Sequence, residues 1–356
     1  MSFLSKQCRS VTPNFAGEQP IDKEYIKVNI NESPYPPSPK VKAVIDKIDY
    51  SDLRLYPPQN SSELKRLIAN KYGLEEDNVF VGNGSDEVLA FCFPAFFDSD
   101  DKNSILAFAN ISYSFYKVWA HIFGINTQIL PLNSDFKINT KDYFNSTANG
   151  FLICNPNVPT GIALGRMDIL EMVEQMPDKL FIIDEAYSDF ANCSVANFVK
   201  SHDNLLVVKT FSKSYGLAGI RCGYAIGNSS LIRGLNTIKN SFNTFTVNTL
   251  TQAIACEAFK DNSYIATTID KIITTREEFA DKLREMGFEV LPSSSNFLFA
   301  RHNEMRGSEI YFQLKENGIL VKHYKIPLIE DFVRITIGTP DDMKFIIKVI
   351  KQILKK

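Results

Sequence analysis

The amino-acid sequence predicts an α/β protein with a largely parallel sheet, followed by a smaller α+β domain. Short apolar, β-rich runs recur between segments long enough to form helices, which is typical of strands buried on both faces of a sheet. After about Phe245 this pattern changes to a long amphipathic segment and a few strand-like runs. We therefore expect an N-terminal arm over residues 1–40, a large domain over 41–245 and a small C-terminal domain over 246–356.

Apolar runs predict the strands of the large sheet. They are Val79–Val81, Ser104–Phe108, Phe151–Cys154, Leu180–Ile183, Leu205–Val208 and Gly223–Ile226. In the small domain, apolar residues at helical spacing between Ile269 and Met286 predict an amphipathic helix that ends at Gly287. Further strands are predicted at Phe297–Ala300, Ile319–Lys322 and Phe332–Ile337. Thr339 and Pro340 predict a final helix, because threonine caps helices well and proline suits the first helical position.

Composition and charge favour a globular protein that acts on small molecules. The 39 basic and 41 acidic residues leave a net charge of −2, and no block of one sign would attract a nucleic acid or a membrane surface. The cysteines form no Cys-x-x-Cys pair, and the histidines show no metal-binding spacing. No apolar stretch suits a signal peptide or a membrane span. We expect a cytoplasmic protein without metal, nucleic acid or membrane partners.

A glycine-containing turn follows the first predicted strand. Gly82 and Gly84 allow a close backbone approach, and the free N–H groups of a helix that starts at Ser85 suit a phosphate. The turn is not a dinucleotide-binding fingerprint, because Glu87 occupies the position of the third glycine. The lysine of a P-loop is also absent. A plain strand-to-helix turn is the alternative interpretation of this motif taken alone.

Two further strands end in residues that suit a charged cofactor, at the strand ends where open α/β sheets bind ligands. The run Leu180–Ile183 is followed by Asp184, whose carboxylate could pair with a protonated ring nitrogen; an acidic strand end facing water is the alternative. Lys213 follows the run Leu205–Val208 and can form a Schiff base if its surroundings lower its pKa, although most lysines are simply solvated. Arg221 lies in a glycine-rich stretch and could clamp a phosphate.

These residues stand in the order and spacing of a known family. The matching segments are Gly84–Asp86, Asn157–Gly161, Asp184–Tyr187, Ser212–Lys213 and Gly219–Gly223. With them, the sequence resembles the class I/II aminotransferases of fold type I over nearly the whole chain. It is most similar to the histidinol-phosphate aminotransferase branch, through Asn29–Glu32, Leu55–Pro58 and Val333–Thr339. The resemblance implies a mainly parallel seven-stranded sheet in the large domain, and pyridoxal 5'-phosphate as the cofactor.

The resemblance also implies a role for each matching residue around the cofactor. Lys213 would hold the cofactor as a Schiff base and then carry the proton between the substrate carbon and the cofactor carbon. Asp184 would pair with the pyridine nitrogen, and Tyr113 would stack on the ring. Tyr187 and Asn157 would contact the ring hydroxyl. The remaining cofactor-binding residues, which lie mostly at its phosphate, would be Gly84, Ser85, Asp86, Ser212 and Arg221.

The same resemblance implies a site shared between two subunits. Tyr56 would reach the cofactor phosphate of the partner subunit, so we expect a homodimer. Asn31, Lys322 and Arg334 would bind the substrate, and Arg334 would grip its acidic group. The expected reaction is a ping-pong transfer of an amino group from L-glutamate to a small phosphorylated ketone.

Three positions depart from the family pattern. Val158 replaces a second asparagine, so the contact to the ring hydroxyl must come from Asn157 or be lost. Asn14 stands where the branch often has a tyrosine, and Lys322 replaces an arginine, which gives a point charge in place of a planar fork. Both of these positions serve the substrate phosphate in the family. We therefore expect a different phosphorylated substrate, dihydroxyacetone phosphate, which would be converted to serinol phosphate.

Three alternatives remain open from the sequence. Histidinol-phosphate aminotransferase activity, with imidazole acetol phosphate as the acceptor, fits the branch because single substitutions in a pocket are often tolerated. A decarboxylase of phosphorylated amino acids would use the same cofactor site and release carbon dioxide without glutamate. A cofactor-binding regulatory module would need a DNA-binding extension, and the sequence shows neither a helix-turn-helix segment nor a basic stripe.

Overall fold

The computed structural model of the chain describes residues 3–13 and 17–355. Its strands, in chain order, are β1 (Ile26–Lys27), β2 (Val79–Gly82), β3 (Ile105–Ala109), β4 (Asn126–Leu130), β5 (Gly150–Cys154), β6 (Leu180–Asp184), β7 (Leu205–Thr210), β8 (Gly223–Gly227), β9 (Phe288–Val290), β10 (Phe297–His302), β11 (Ile319–Leu320), β12 (Lys322–His323) and β13 (Val333–Thr336). Its helices are α1 (Lys6–Ser10), α2 (Pro39–Ile45), α3 (Ser62–Tyr72), α4 (Ser85–Phe96), α5 (Phe115–Phe123), α6 (Thr140–Phe144), α7 (Arg166–Gln175), α8 (Ser229–Phe242), α9 (Thr249–Lys260), α10 (Asn262–Glu285), α11 (Gly307–Glu316) and α12 (Pro340–Ile353).

Within the described residues, the centre of the molecule is a seven-stranded sheet in the order β2-β8-β7-β6-β5-β3-β4. In this part of the chain β8 is antiparallel to both of its neighbours, and the other strands of the sheet share one direction. The mainly parallel large sheet is therefore confirmed, together with the six strands that the apolar runs predict. Because parallel strands end at one edge of a sheet, the loops that follow β2, β5, β6 and β7 come together there.

The large sheet is buried on both faces. Successive residues of β5 alternate between two apolar clusters, as the pleat of a strand requires. Phe151 and Ile153 pack in one cluster with residues of α3, α7 and α9, whereas Leu152 and Cys154 pack in the other with residues of α4, α5 and α8. This double burial explains why the sequence shows these strands as continuous apolar runs.

A four-stranded antiparallel sheet, in the order β12-β13-β10-β9, forms the C-terminal part of the described chain. The predicted single strand Ile319–Lys322 is wrong in one respect, because the chain changes sheets at Val321. β11 pairs in parallel with β1, and β12 joins the antiparallel sheet beside β13. The N-terminal segment is thus tied to the C-terminal part, and Thr336 N also donates to Val28 O at 2.9 Å. The division into an arm, a large domain and a small domain stays a prediction.

Three strands of the described chain lack a sequence signal, namely β1, β4 and β9. β4 lies at the edge of the large sheet and buries only Leu130, so its sequence has no apolar run. β1 and β9 span two and three residues, which is too short for a period-two pattern to be recognised. Edge position and short length therefore explain what the apolar pattern misses.

The last two long helices follow their predicted end signals. α10 begins at Asn262, before the predicted stretch, and ends at Glu285, two residues before Gly287 with its left-handed φ of 85°. α12 begins at Pro340, where Thr339 Oγ1 accepts a hydrogen bond from Asp342 N at 3.2 Å and Asp342 accepts one from Thr339 N at 2.8 Å. Every helix within residues 3–13 and 17–355 is too short or too polar to cross a membrane.

We predict that Thr339→Ala lowers the free energy of unfolding by about 1 kcal/mol, because it removes the side-chain cap of α12. Urea unfolding followed by circular dichroism measures the change as a lower midpoint. Thr237→Ala is the matched control, because this threonine is exposed within α8 and alanine is the better helix former there. Equal midpoints for Thr339→Ala and the unsubstituted protein would contradict the capping role.

Candidate active site

Residues that the sequence singles out come from separate segments and meet at one edge of the large sheet. They lie in the loops after β2, β3, β5 and β7, at the end of β6 and in the loop after it, on β12 and β13, and in the segment just after β1. Hydrogen bonds join these segments: Arg221 to Asp86, and Asn31 to Tyr187. The side chain of Lys213 also reaches the N-terminal segment, at the carbonyl of Ile30.

The turn before α4 brings backbone unusually close to Arg221. Gly84 precedes the helix with a φ of 85°, and a Cβ at this position would lie 2.5 Å from Arg221 Nη2. A Cβ on Gly223 would lie 2.4 Å from the backbone nitrogen of Ser85. Arg221 Nη1 lies 3.4 Å from Ser212 Oγ, so a guanidinium, a hydroxyl and the N-terminus of α4 surround one point. Such a point suits a phosphate group.

Asp86 organises the aromatic and cationic groups around this turn. Its carboxylate accepts a hydrogen bond from Tyr113 at 2.8 Å and pairs with Arg221 Nη2 at 3.0 Å. The ring of Tyr113 packs edge-on against the rings of Tyr116 and Trp119, at 5.6 and 6.1 Å between centroids. Burial raises the pKa of Tyr113, so its hydroxyl stays protonated and donates to Asp86.

Asp184 is a buried carboxylate at the end of β6, with 3% of its surface exposed. Tyr116 donates to its Oδ2 at 2.6 Å, and Ala186 N donates to its Oδ1 at 3.1 Å. Burial raises the pKa of Asp184 to about 6, although these hydrogen bonds favour the charged form. None of the cationic side chains that the structure describes forms an ion pair with it. A cation bound beside Asp184 would therefore be strongly favoured.

Lys213 lies after β7 with its amine directed at the same space. Its Nζ is 3.3 Å from the carbonyl oxygen of Ile30 and 5.7 Å from the centroid of the Tyr187 ring. Burial, and secondly the nearby Arg334, lower the pKa of Lys213 to about 8. A substantial fraction of this amine is therefore uncharged at mildly alkaline pH, as a nucleophile must be.

Asn31 connects the N-terminal segment to Tyr187 and to β13. Its Nδ2 donates to the Tyr187 hydroxyl at 2.8 Å, and its Oδ1 accepts from Thr336 Oγ1 at 3.0 Å. The backbone of Asn31 has a left-handed φ of 58°, a region that asparagine tolerates better than most residues. Burial raises the pKa of Tyr187, so this phenol remains neutral. The contacts place a phenol and an amide side by side near Lys213.

The side-chain amide of Asn157 donates its hydrogen bonds to neighbouring protein groups. Its Nδ2 donates to Ile111 O at 3.0 Å and to Thr160 Oγ1 at 3.1 Å. Val158, where many family members have a second asparagine, is buried among apolar side chains. The contact of Asn157 with a cofactor hydroxyl stays a prediction, and the phenol of Tyr187 offers the same kind of donor nearby.

Arg334 and Lys322 form a cationic pair, since they are direct neighbours across β12 and β13. Arg334 is only 8% exposed; its Nη2 donates to Asn29 O at 2.8 Å, but its buried Nε has no hydrogen-bond partner among the described residues. Its guanidinium lies 5.3 and 5.9 Å from the ring centroids of Phe297 and Tyr324. Burial, and then the charge of Arg334, lower the pKa of Lys322. An anionic substrate group would complete this environment.

Tyr56 stands apart from the other predicted residues. Its side chain is 82% exposed, and its ring stacks on that of Phe245 with 4.6 Å between centroids. The structure of a single chain therefore leaves the expected contact with a partner's cofactor as a prediction.

Sequence reasoning misses Tyr116 and Tyr324, which contact Asp184 and Arg334 respectively. Tyr116 lies three residues after Tyr113, and its backbone N–H donates to the carbonyl oxygen of Tyr113 at 3.2 Å, so the turn that leads into α5 brings both side chains to the sheet edge. That spacing is the one signal that could have identified it. Tyr324 follows β12 without any recognisable motif.

The residues fit pyridoxal phosphate, the cofactor that the resemblance implies. That molecule carries a phosphate, an aldehyde and a basic ring nitrogen. The N-terminus of α4, Ser212 and Arg221 provide the donors and the cation that a phosphate requires. Lys213 provides the amine for the aldehyde. Asp184 provides a carboxylate without an ion pair for the protonated nitrogen.

Comparison with known proteins gives a consistent result. The sequence profile of a family described as aminotransferase class I and II matches residues 23–350. A histidinol-phosphate aminotransferase of Brachyspira hyodysenteriae is 49% identical over 355 residues, which are 99% of this chain and 99% of that protein. One from Clostridium botulinum is 41% identical over 354 residues, again 99% of each chain. The resemblance stated from the motifs is thereby confirmed.

Solved structures show the same fold. The structure of histidinol-phosphate aminotransferase from Sinorhizobium meliloti, in complex with pyridoxal-5'-phosphate, is similar with a TM-score of 0.88. The match covers 100% of this chain and 98% of that chain, at 20% sequence identity. At this identity the likeness concerns the fold alone, and it confirms the predicted fold type I.

The same comparisons correct one prediction, since the assignment of dihydroxyacetone phosphate as the acceptor is wrong. Relatives between 41% and 49% identical to this chain are named histidinol-phosphate aminotransferase. The physical reason is that Lys322 keeps a positive charge beside Arg334, so the replacement of an arginine by lysine does not by itself require a different acceptor. The other departure, Asn14, lies outside the described residues.

We predict that Gly84→Ala weakens the binding of pyridoxal phosphate by about tenfold, or about 1.4 kcal/mol. The new Cβ would collide with Arg221 Nη2 and would also strain a left-handed backbone. Titration of the cofactor-free protein, followed by absorbance, measures the dissociation constant. Gly219→Ala is the matched control, because a Cβ there meets nothing within 4 Å. Unchanged affinity in Gly84→Ala would contradict the phosphate site at this turn.

Proposed function

This chain belongs to the class I and II aminotransferase family, and on that premise we propose that it is a histidinol-phosphate aminotransferase. The observation that carries the proposal is 49% identity over 99% of both chains to a relative of that name. Lys213, Asp184 and the turn at Gly84 support it, since they supply the groups that a pyridoxal-phosphate-dependent aminotransferase requires.

The proposed reaction transfers the amino group of L-glutamate to imidazole acetol phosphate, which yields 2-oxoglutarate and histidinol phosphate. Donor and acceptor use one site in turn, so ping-pong kinetics follow. Both molecules carry an anionic group: a carboxylate in glutamate and a phosphate in the acceptor. Arg334 and Lys322 lie side by side and can bind either anion. The partnerless Nε of Arg334 is the atom that such an anion would satisfy.

Lys213 is the residue that moves the proton. When bound, pyridoxal phosphate supplies a sink for the electron pair that remains on the substrate carbon as its proton leaves. The uncharged Nζ of Lys213 would accept that proton and, once protonated, would be the group that donates it back, and its pKa of about 8 suits both roles. Ile30 O, at 3.3 Å, orients the amine within the site.

Asp184 and Tyr187 set the electrostatics of the proposed site. The carboxylate of Asp184 would face the ring nitrogen and keep it protonated, which is what makes the ring an electron sink. Tyr187 holds its hydroxyl against Asn31 and would contact the ring hydroxyl. With a negative group at the nitrogen and cations at the phosphate, the cofactor can bind in one orientation.

The proposed enzyme is a homodimer, and its surface supports this state. Tyr50, Tyr56 and Phe242 are each at least 80% exposed in the single chain, and exposed aromatic side chains suit a protein–protein interface. Leu53 and Leu55 lie in the same segment and are more than half exposed. A second copy of the chain would cover these side chains and receive Tyr56 at its cofactor phosphate.

We predict that the protein aminates imidazole acetol phosphate with L-glutamate at least about 100-fold more efficiently, in kcat/KM, than dihydroxyacetone phosphate. Both ketones offer a phosphate to Lys322 and Arg334, so the preference would come from the imidazole arm. Lys213→Ala should abolish the reaction, whereas Lys344→Ala, an exposed position on α12, should retain it. Release of carbon dioxide from a phosphorylated amino acid without glutamate would instead show a decarboxylase.

We predict that mixed dimers of Lys213→Ala and Tyr56→Ala recover activity that neither variant has alone. If Tyr56 acts on the partner's site, each mixed dimer contains one intact site and one doubly defective site. Random reassembly would then restore about a quarter of the unsubstituted activity. Refolding the two variants together and measuring turnover gives the result. No recovery on mixing would show that Tyr56 acts within its own chain or not at all.

A further inference from the structure

A fully buried hydroxyl contacts the carboxylate proposed to face the ring nitrogen. Tyr116 lies near the start of α5 and is 0% exposed, and its hydroxyl donates to Asp184 Oδ2 at 2.6 Å. The other oxygen of Asp184 accepts a hydrogen bond from Ala186 N. These two donors occupy different oxygens, so they fix the plane of the carboxylate.

Packing holds the Tyr116 ring in place. Its ring lies edge-on to Phe108 and Tyr113, with 5.8 and 5.6 Å between centroids, and is tilted against Trp119 at 6.3 Å. The hydroxyl is therefore pre-organised, and little side-chain freedom is lost when it bonds to Asp184. Phe108 belongs to β3, so the ring packs against the sheet. Asp184 ends β6, so the hydrogen bond from Tyr116 connects α5 to this edge of the sheet.

The chemistry of the donor matters as much as its position. Burial, and secondly the charge of Asp184, raise the pKa of Tyr116, so its phenol remains a neutral donor at every physiological pH. A neutral donor stabilises the ionised carboxylate without cancelling its charge. A lysine or arginine at the same place would form an ion pair with Asp184 and compete with the ring nitrogen.

We propose that Tyr116 is a positioning residue of this enzyme, whose hydroxyl holds Asp184 ionised and correctly oriented towards the ring nitrogen of pyridoxal phosphate. This inference rests on the proposed function, because it requires that the cofactor bind beside Asp184. Tyr116 acts on the reaction only through Asp184.

Other titratable groups around Asp184 must be considered in a test that varies pH. From the elements packed against it they are Asp86 and Cys92 on α4, Tyr113 before α5, Cys154 on β5, and Glu185 and Tyr187 after β6. Burial raises the pKa of Cys92 and of Cys154, so both thiols stay neutral. Lys213 also titrates, but every protein in the test contains it, so its titration does not distinguish the variants.

The test is Tyr116→Phe, which removes one oxygen from a packed ring. The dissociation constant of pyridoxal phosphate should rise by about tenfold at neutral pH, as expected for a lost hydrogen bond to a charged group. Ionised Asp184 strengthens binding, and its pKa is about 6, so affinity falls as the pH drops through this value. Without the Tyr116 hydroxyl the pKa of Asp184 is higher, so the fall should begin at a higher pH.

Two comparisons separate positioning from a general effect on folding. Tyr143→Phe is the matched control, because Tyr143 is 1% exposed and its hydroxyl has no hydrogen-bond partner among the described residues. It should leave cofactor affinity and its pH profile unchanged. In an Asp184→Asn background, Tyr116→Phe should change the dissociation constant by less than about twofold, since the group through which it acts is gone.

The outcomes are distinguishable. A displaced pH profile in Tyr116→Phe, lost in the Asp184→Asn background, supports the proposal. An unmoved profile, or an equal loss of affinity with and without Asp184, refutes the role of Tyr116 and leaves the proposed function intact. An unsubstituted protein that does not bind pyridoxal phosphate refutes both.

Discussion

Asp184 ends a central strand as a buried carboxylate with no ion pair among the described residues, an arrangement that is costly unless a cation lies beside it. Its surroundings act on this charge in opposite ways: hydrogen bonds favour the charged form, whereas burial raises the pKa to about 6. Tyr116 and Ala186 N donate to separate oxygens, while apolar side chains exclude water from both faces of the sheet. Because six strands of the large sheet end at the same edge, Lys213 and the turn at Gly84 face the same space. The site therefore follows from strand direction together with one uncompensated charge.

Positively charged side chains predominate in the rest of the site. Arg334 and Lys322 are adjacent cations, and Arg334 also helps to lower the pKa of Lys213. Arg221 pairs with Asp86 beside the N-terminus of α4. A ligand with a basic ring nitrogen at one end and anionic groups at the other would match this distribution. The N-terminal segment closes the space, because Asn31 bonds to Tyr187 and to Thr336 on β13.

The sequence predicts the groups proposed to touch the cofactor better than those that support them. Lys213 and Asp184 each follow an apolar strand, so their placement depends on strand direction, which buried runs indicate well. The support given by Tyr116 depends on how α5 packs across the sheet, and no local pattern records that. The amide direction of Asn157 depends likewise on its own loop. The prediction of the acceptor from Lys322 is wrong, because a changed side chain can retain the positive charge that an anion-binding position requires.

The most direct test of the account is the visible absorption of the purified protein with pyridoxal phosphate, before and after addition of L-glutamate. The account predicts an absorption band from cofactor held by Lys213, which disappears when glutamate donates its amino group. In Lys213→Ala this glutamate-dependent change should be absent. A protein without such a band, or with a band that glutamate leaves unchanged, would contradict the claim that Lys213 and Asp184 form an aminotransferase site.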